Sequence, residues 1–425
     1  MKTAPFDSIN LNPGPIPHCQ ICKSKKFEFI VDMGHNAPCD SPLTKEKLNE
    51  AETVYPLRLL RCSDCGLVQI DYCVNPALLF HPDYPYLSGI TETLKKNLHA
   101  IAERCVSKLG LPKNKLVVDI GSNDGTLLEG FKKIGMNVLG VEATNIARVA
   151  NEKGIRSIQG FFNLNMAEKI FDTEGPACLV TATNIFAHVN HLGTLLRGIY
   201  LLLQDDGYFV SESHYLVDIL ETLQYDSIYH EHLRYYSLKP LIRLFDDQGF
   251  TLIDAERIPN YGGSIRVYAQ KGRGHPVSEN VRKLIAVEEK AGVYRPETYQ
   301  NFAKDVRANR RALRSLLVKL MDEGKSVVGV GCPGRSATLL TYCGISTDLL
   351  PYIAEQANCL KVGLFTPGTH IPILDEAKML KEQPDYGLIL SWHYAKDIIR
   401  NLRKKGIRSK IIVPLPNIQI VENEM

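Results

Sequence analysis

LVVDIGSNDGTLLEGFKKIGMNVLGVEAT, residues 116–144, decides how the rest of the chain is read. An apolar run at 116–118 ends at Asp119. A glycine turn follows, Gly121-Ser-Asn-Asp-Gly125, then an apolar-periodic segment. A second apolar run at 138–141 ends at Glu142. This order predicts strand, glycine turn, helix and strand, with an acid closing the second strand. It is the opening unit of a doubly wound sheet that holds an adenosine. The bland alternative is a plain βαβ unit whose glycines only permit tight packing.

Charge selects among adenosine ligands. In the dinucleotide fingerprint G-x-G-x-x-G, backbone N–H groups meet an anionic pyrophosphate. Here the spacing is G-x-x-x-G, and Asp119 and Asp124 flank it. Two carboxylates would repel a pyrophosphate. They suit the ammonium and sulfonium of S-adenosylmethionine (SAM). Gly121, Asn123 and Gly125 would shape the turn, and Glu142 would accept from the ribose hydroxyls.

Downstream the βα rhythm continues. A helix is expected over 145–153. Phe161, in the IQGFF run at 158–162, is expected beside the adenine. A strand at 177–182 leads to Asn184 and His188, and another at 207–213 leads to Glu212, Ser213 and His214. Ligands of open α/β sheets sit at the carboxyl ends of strands. The densest titratable stretch is YDSIYHEHLRYYS, residues 225–237. So many ionisable groups are costly to bury without use. Its two histidines are two apart, unlike the i, i+4 pair of a helical zinc site. General acid–base chemistry fits better: a histidine takes a proton, an acid orients it, and a tyrosine donates to a developing oxyanion. Tyr261 and Arg266 follow, in a glycine-bearing stretch, with Arg266 expected to face the next domain.

Upstream, Cys19-x-x-Cys22 and Cys62-x-x-Cys65 form two knuckles, the usual arrangement of a structural Zn2+ site. The loop at 81–91 leads from this head toward the cofactor domain and carries Tyr84 and Tyr86. Toward the C-terminus, a helix is expected from Pro296 to a stop at Gly324. VVGVGCPGRSATLL (327–340) is then a second strand, glycine turn and helix. It holds no carboxylate, and Arg335 and Ser336 sit at the helix start, so an anion site for a diphosphate is expected. Gly331, Pro333, Lys361, His370 and His393 are further candidates to line it.

Composition sets the class. The 425 residues are 44% hydrophobic and 23% charged, with a formal net charge of +3. The expectation is two to three soluble domains and no nucleic-acid partner. No run approaches the roughly 18 apolar residues of a membrane span, and the start lacks the apolar core of a signal peptide. With eleven cysteines and no export signal, free thiols and metal ligation are expected, in the cytoplasm.

The combination resembles the SAM-dependent C-methyltransferases of deoxysugar biosynthesis, of the tetronitrose, noviose and mycarose type. The motifs are the paired C-x-x-C, YPYLSG, DIGSNDGTLL, NIFAHV, YDSIYHEHLRYYS, GGSIRVY, GVGCPGRSATLL and PGTHIPIL. The resemblance implies an α/β chain of three parts: a zinc-binding head (1–80), a Rossmann-like SAM methyltransferase domain (81–272) and a second Rossmann-like domain (273–425) that binds a nucleotide sugar. It implies methylation of C3 or C5 beside the 4-keto group of a nucleotide-linked 6-deoxyhexose, with dTDP as the favoured carrier. His232 would be the base, with Tyr229 and Glu231 beside it, and Tyr86 and His188 lining the site. Tyr261, Cys332, Arg335 and His393 depart from the family pattern where sugar and phosphates should sit. Two rival readings are an epimerase or dehydratase of nucleotide sugars, and a zinc-dependent assembly module. No motif specifies an oligomeric state.

Overall fold

The computed structural model describes residues 9–81, 87–89 and 92–422. Three sheets of four or more strands organise them. In the head, β1 (Phe27–Asn36), β2 (Tyr55–Cys62) and β3 (Val68–Ile70) run antiparallel. The two cysteine knuckles lie at one end of these strands. A fourth strand comes from far along the chain, as described below.

The second sheet contains β4 (Leu116–Ile120), β5 (Asn137–Glu142), β6 (Ser157–Gln159), β7 (Ala177–Thr183) and β8 (Leu203–His214). After β8 the chain passes β9 (Arg234–Tyr235), which pairs with β3 of the head. It then returns as the hairpin β10 (Phe250–Ile258) and β11 (Ser264–Lys271). The order is β10-β11-β8-β7-β4-β5-β6. From β8 to β6 the strands are parallel, and β11 joins β8 antiparallel. The central strands are continuous apolar runs because helices cover both faces. Strand order reverses between β4 and β7, which opens a crevice at their carboxyl ends.

The third sheet is built the same way. Its strands are β12 (Val327–Val330), β13 (Ile353–Glu355), β14 (Ile373–Asp375), β15 (Tyr386–Ile389), β16 (Lys410–Val413) and β17 (Gln419–Val421). The order β14-β13-β12-β15-β16-β17 is parallel except at β17. The helix Pro296–Asp322 precedes it, with proline in its first turn and Gly324 just beyond its end. The second strand of this sheet begins at Ile353. Just before it, Leu349 and Leu350 both donate their N–H to the Ser346 carbonyl, so that stretch is a turn. Among the described residues, no helix is long and apolar enough to cross a membrane.

An aromatic block fills the space between the second sheet and the helix Leu238–Asp247. Phe245 stacks on Phe186 with centroids 5.8 Å apart and meets Phe209 and Phe250 edge-on. All four rings are buried. Phe245→Ala should cost about 3–5 kcal/mol. Urea unfolding monitored by far-UV circular dichroism would measure it, and a loss under 1 kcal/mol would contradict the packing.

Candidate active site

The first glycine turn closes β4. Gly121 has φ +69°, and a Cβ there would collide with Ile185. Glu142, at the end of β5, accepts from Asn123 N at 2.9 Å and from Thr144 N at 2.8 Å. Oε1 also accepts from Thr144 Oγ1 at 2.8 Å, so Oε2, which among the described residues accepts only from Asn123 N, is the oxygen with a further lone pair for a ligand. Asp119 accepts from Thr181 Oγ1 at 2.6 Å, and burial pushes its carboxyl up to about 7. At Asp124, burial opposes the charge, but hydrogen bonds from Lys153 (2.8 Å) and Thr126 outweigh it and hold the carboxyl low. The two acids therefore offer less bare negative charge than their count suggests. Ser122 Oγ, Asn184 Oδ1 and Ser213 Oγ, by the ends of β4, β7 and β8, are buried without a hydrogen-bond partner among the described residues. Such a polar rim fits an adenosine ligand with a charged amino-acid tail. Phe161 is 49% exposed just beyond β6. Tyr86 lies outside the described residues, while Ser88 and Gly89 just after it meet this turn. Ser88 N donates to Asn123 Oδ1 at 2.8 Å and Gly89 N to Asp124 Oδ2 at 3.1 Å.

Beside this crevice lies a cluster of aromatic and basic side chains. The His232 ring is 4.0 Å from Tyr229, 4.7 Å from His214 and 4.9 Å from His188, centroid to centroid. His232 is 3% exposed. Its Nδ1–H donates to the Ser227 carbonyl at 2.9 Å, which leaves the Nε2 lone pair as the basic site. Burial, with His214 and His188 close by, holds its pKa well below 6.5. Burial lowers His188 to about 4 and raises the Tyr229 hydroxyl well above its ordinary value. The expected orienting acid is corrected here. Glu231 turns toward Cys39, whose thiol is 3.4 Å from Oε1, and the Ser227 carbonyl orients His232 instead.

The second glycine turn departs from expectation. Gly331 has φ +75°, and Ser336 Oγ donates to the Pro333 carbonyl at 2.6 Å. Yet Cys332 N donates to Glu355 Oε2 at 2.7 Å, and the Asp40 carboxylate packs against Gly334. The turn is free of acids in sequence but receives two from elsewhere, so it is not an open anion site. Lys361 is matched by Asp40 at 2.6 Å and donates to the Cys332 carbonyl at 3.2 Å. His370 pairs with Glu52 at 3.1 Å. Arg266 does not face the third sheet. It lies opposite Glu212 in the β11–β8 pair and binds that carboxylate at 2.8 Å, buried.

Arg335 leaves the turn altogether. Its guanidinium enters the histidine cluster, 5% exposed. It reaches His214 Nε2, His393 Nδ1 and Gln224 Oε1, each at 3.3 Å, and the Ser227 hydroxyl. Asp226 is 3.7 Å away and accepts from Trp392 Nε1 at 2.7 Å. Tyr261, at φ +55°, lies 6.4 Å from His214. Sequence reasoning passed over His214, Gln224, Asp226 and Ser227 as site residues. The signal for His214 was its place at the end of β8.

In the head, Cys19 and Cys65 sulfurs are 3.5 Å apart, as are those of Cys22 and Cys62. All four lie within 4.8 Å of one another. Sulfurs bound tetrahedrally at about 2.3 Å would be separated by about 3.8 Å, so the set fits Zn2+. Four thiolates close the coordination, so the ion is structural. The knuckle is tied to the cluster: Gln20 Nε2 donates to the Leu233 carbonyl at 3.0 Å, and His230 Nε2–H to the Pro56 carbonyl at 3.2 Å.

Fold and site together define a methyltransferase with a zinc-bearing head and a second α/β domain closing on its active centre. Family models match in the same order: "Putative zinc binding domain" at residues 19–80, "Methyltransferase domain" at 86–255 and "C-methyltransferase C-terminal domain" at 259–416. The C-methyltransferase NovU of Streptomyces niveus is 33% identical over 414 residues, 96% of this chain and 98% of that protein. Among solved structures, magnesium protoporphyrin IX methyltransferase (ChlM) of Synechocystis PCC 6803 with bound SAH matches 43% of this chain and 89% of its own. The identity is 13% and the TM-score 0.33. A SAM-dependent methyltransferase of Clostridium acetobutylicum matches 42% and 92%, at 13% identity and TM-score 0.33. The chain belongs to the C-methyltransferase family, and it is a SAM-dependent C-methyltransferase.

Cys62→Ser should lower bound zinc from about one per chain toward none and expose the head to proteolysis, because metal affinity and folding are coupled. Metal analysis and limited trypsin digestion test this. Full zinc content in the variant would contradict the site.

Proposed function

We propose that the enzyme methylates the ring carbon, C3 or C5, beside the ketone of a nucleotide-linked 4-keto-6-deoxyhexose, with dTDP as carrier. One observation carries this reading. A neutral histidine, His232, has its Nδ1 proton committed to a carbonyl and its Nε2 lone pair available, in a buried cluster beside the cofactor crevice. That is the equipment for removing a proton from carbon next to a ketone.

Asp119, Gly121, Asn123, Gly125, Glu142 and Asn184 would hold the cofactor, with Phe161 toward the adenine. S-adenosylmethionine supplies the methyl group as an electrophile. His232 Nε2 takes the α-proton, and the C–H electron pair moves into an enolate. Tyr229, His188 or Tyr86 donates to the enolate oxygen. The pair would then form the new carbon–carbon bond as the methyl–sulfur bond breaks and the neutral thioether leaves, the ketone is restored, and His232 returns its proton to solvent. A histidine with so low a pKa is a weak base. Donors on the ketone oxygen must therefore acidify the carbon, and exclusion of water strengthens them. Positioning supplies much of the rest.

The nucleotide is read along the third sheet. Glu355, at the end of β13, stands where doubly wound folds hold a sugar hydroxyl. Gly331, Pro333 and Ser336 would lie beside it, with Lys361 and His370 flanking. All eleven cysteines are free of disulfides, which supports a cytoplasmic location.

His232→Gln should abolish methyl transfer while S-adenosylhomocysteine still raises the thermal midpoint. Near-normal turnover would refute the assignment. Because the base stays neutral below 6.5, kcat/KM should hold steady as pH falls from 8 to 6.5. An acid limb centred above 6.5 in the pH–rate profile would contradict a buried, neutral His232.

A further inference from the structure

We propose that His214 Nδ1–H is a further donor to the enolate oxygen, beside those named above, and that Arg335 of the third sheet's first helix fixes that proton in place. The proposal rests on His232 acting as the base.

A guanidinium carries only N–H groups. Arg335 Nη2 lies 3.3 Å from His214 Nε2, so Nε2 must accept and the single proton of the neutral ring must sit on Nδ1. The same logic at Nη1, 3.3 Å from His393 Nδ1, places the proton of His393 on Nε2. His232 is locked in the opposite sense to its neighbour: its Nδ1–H goes to the Ser227 carbonyl and its Nε2 is the bare lone pair. Two adjacent rings, 4.7 Å apart and tilted by 51°, thus present a lone pair and an N–H. Enolisation of a ketone requires one acceptor at the α-hydrogen and one donor at the oxygen.

His214 is better prepared for the donor role than its neighbours. A cation donating into Nε2 polarises the ring and strengthens the opposite N–H. The His188 Nδ1 is buried without a partner among the described residues, so no hydrogen bond there sets its tautomer. The guanidinium also opposes protonation of His214, after burial has done so, which keeps the ring a neutral donor. The balance is simple. One proton passes from carbon to His232 Nε2, none leaves His214, and the enolate electron pair leaves the oxygen as the new carbon–carbon bond forms. Arg335 acts through His214 and is a positioning residue. Asp226, 3.7 Å from its Nε, partly offsets its charge.

Two measurements test the proposal. In full-length zinc-loaded enzyme labelled with 15N-histidine, imidazole nitrogen shifts report the tautomer, with His214→Asn used to assign the signals. His214 should carry its proton on Nδ1 in the wild type and shift toward Nε2–H in Arg335→Met. An Nε2–H ring in the wild type, or no change in Arg335→Met, would overturn the lock. The second measurement uses dTDP-4-keto-6-deoxyglucose with S-adenosylhomocysteine and follows deuterium uptake beside the ketone. His214→Phe should slow the maximal rate by about 10²–10³-fold, the usual cost of one oxyanion donor, with KM changed less than about threefold. His214→Asn, whose amide nitrogen overlays Nδ1, should recover at least tenfold over His214→Phe. Exchange within threefold of wild type in His214→Phe, with exchange abolished in His232→Gln, would overturn His214 alone. Exchange surviving in His232→Gln would overturn the base assignment beneath it.

Discussion

Residues 225–236 are shared by all three sheets, and the site depends on that sharing. The segment is almost wholly buried, so its polar groups need partners. Tyr225 OH donates to Asn309 Oδ1 at 2.8 Å, and Thr338 Oγ1 donates to the Ile228 carbonyl at 2.9 Å, both from the C-terminal part. Ile70 N and Gln20 Nε2 of the head both donate to the Leu233 carbonyl. Arg234 Nη1 donates to the Val189 carbonyl at 2.8 Å, and Tyr236 OH to the Phe186 carbonyl at 3.2 Å, both beside the cofactor crevice. The Ser227 carbonyl that orients His232 also accepts from Tyr235 OH at 3.2 Å. A methyltransferase thus carries a zinc head for a mechanical reason. The head supplies a strand against which the segment carrying His232 is laid.

The electrostatics follow from burial. Two histidines, His214 and His393, contact the Arg335 guanidinium, and burial keeps His188, His214, His232 and His393 neutral. Neutral rings each have one donor and one acceptor, so hydrogen bonds decide which nitrogen does what. A histidine poised near pH 7 would be the stronger base, and this site forgoes that. In the proposed reaction, acidification of the carbon falls to the ketone's donors, where a dry, preorganised environment is most effective.

Both glycine turns, the long helix and the cysteine knuckles were legible because each is a local pattern with a local cause. The Pro296 start and Gly324 stop bracket a helix whatever surrounds it. The density of titratable groups around His232 also marked a site, since burial without use is costly. The charge contrast between the two turns was not legible. It depended on which side chains arrive from elsewhere, and topology decides that. Glu355 caps the second turn just as Glu142 caps the first, and Asp40 comes from the head. Arg266 looked free in sequence, but the antiparallel register puts it opposite Glu212. Arg335 looked like a phosphate ligand because it begins a helix, yet its long side chain crosses to the histidines. Family resemblance placed His232, Tyr229 and His188 together, while His214 required the structure.

The central claim is that proton abstraction and methyl transfer occur where the cofactor crevice meets the segment 225–236. A crystal structure of the enzyme with S-adenosylhomocysteine and a dTDP-4-keto-6-deoxyhexose tests it most directly. The account predicts the sulfur and the sugar ring facing each other, with the carbon beside the ketone within about 3.5 Å of His232 Nε2. A sugar ring bound away from His232, with the cofactor sulfur facing other residues, would contradict it.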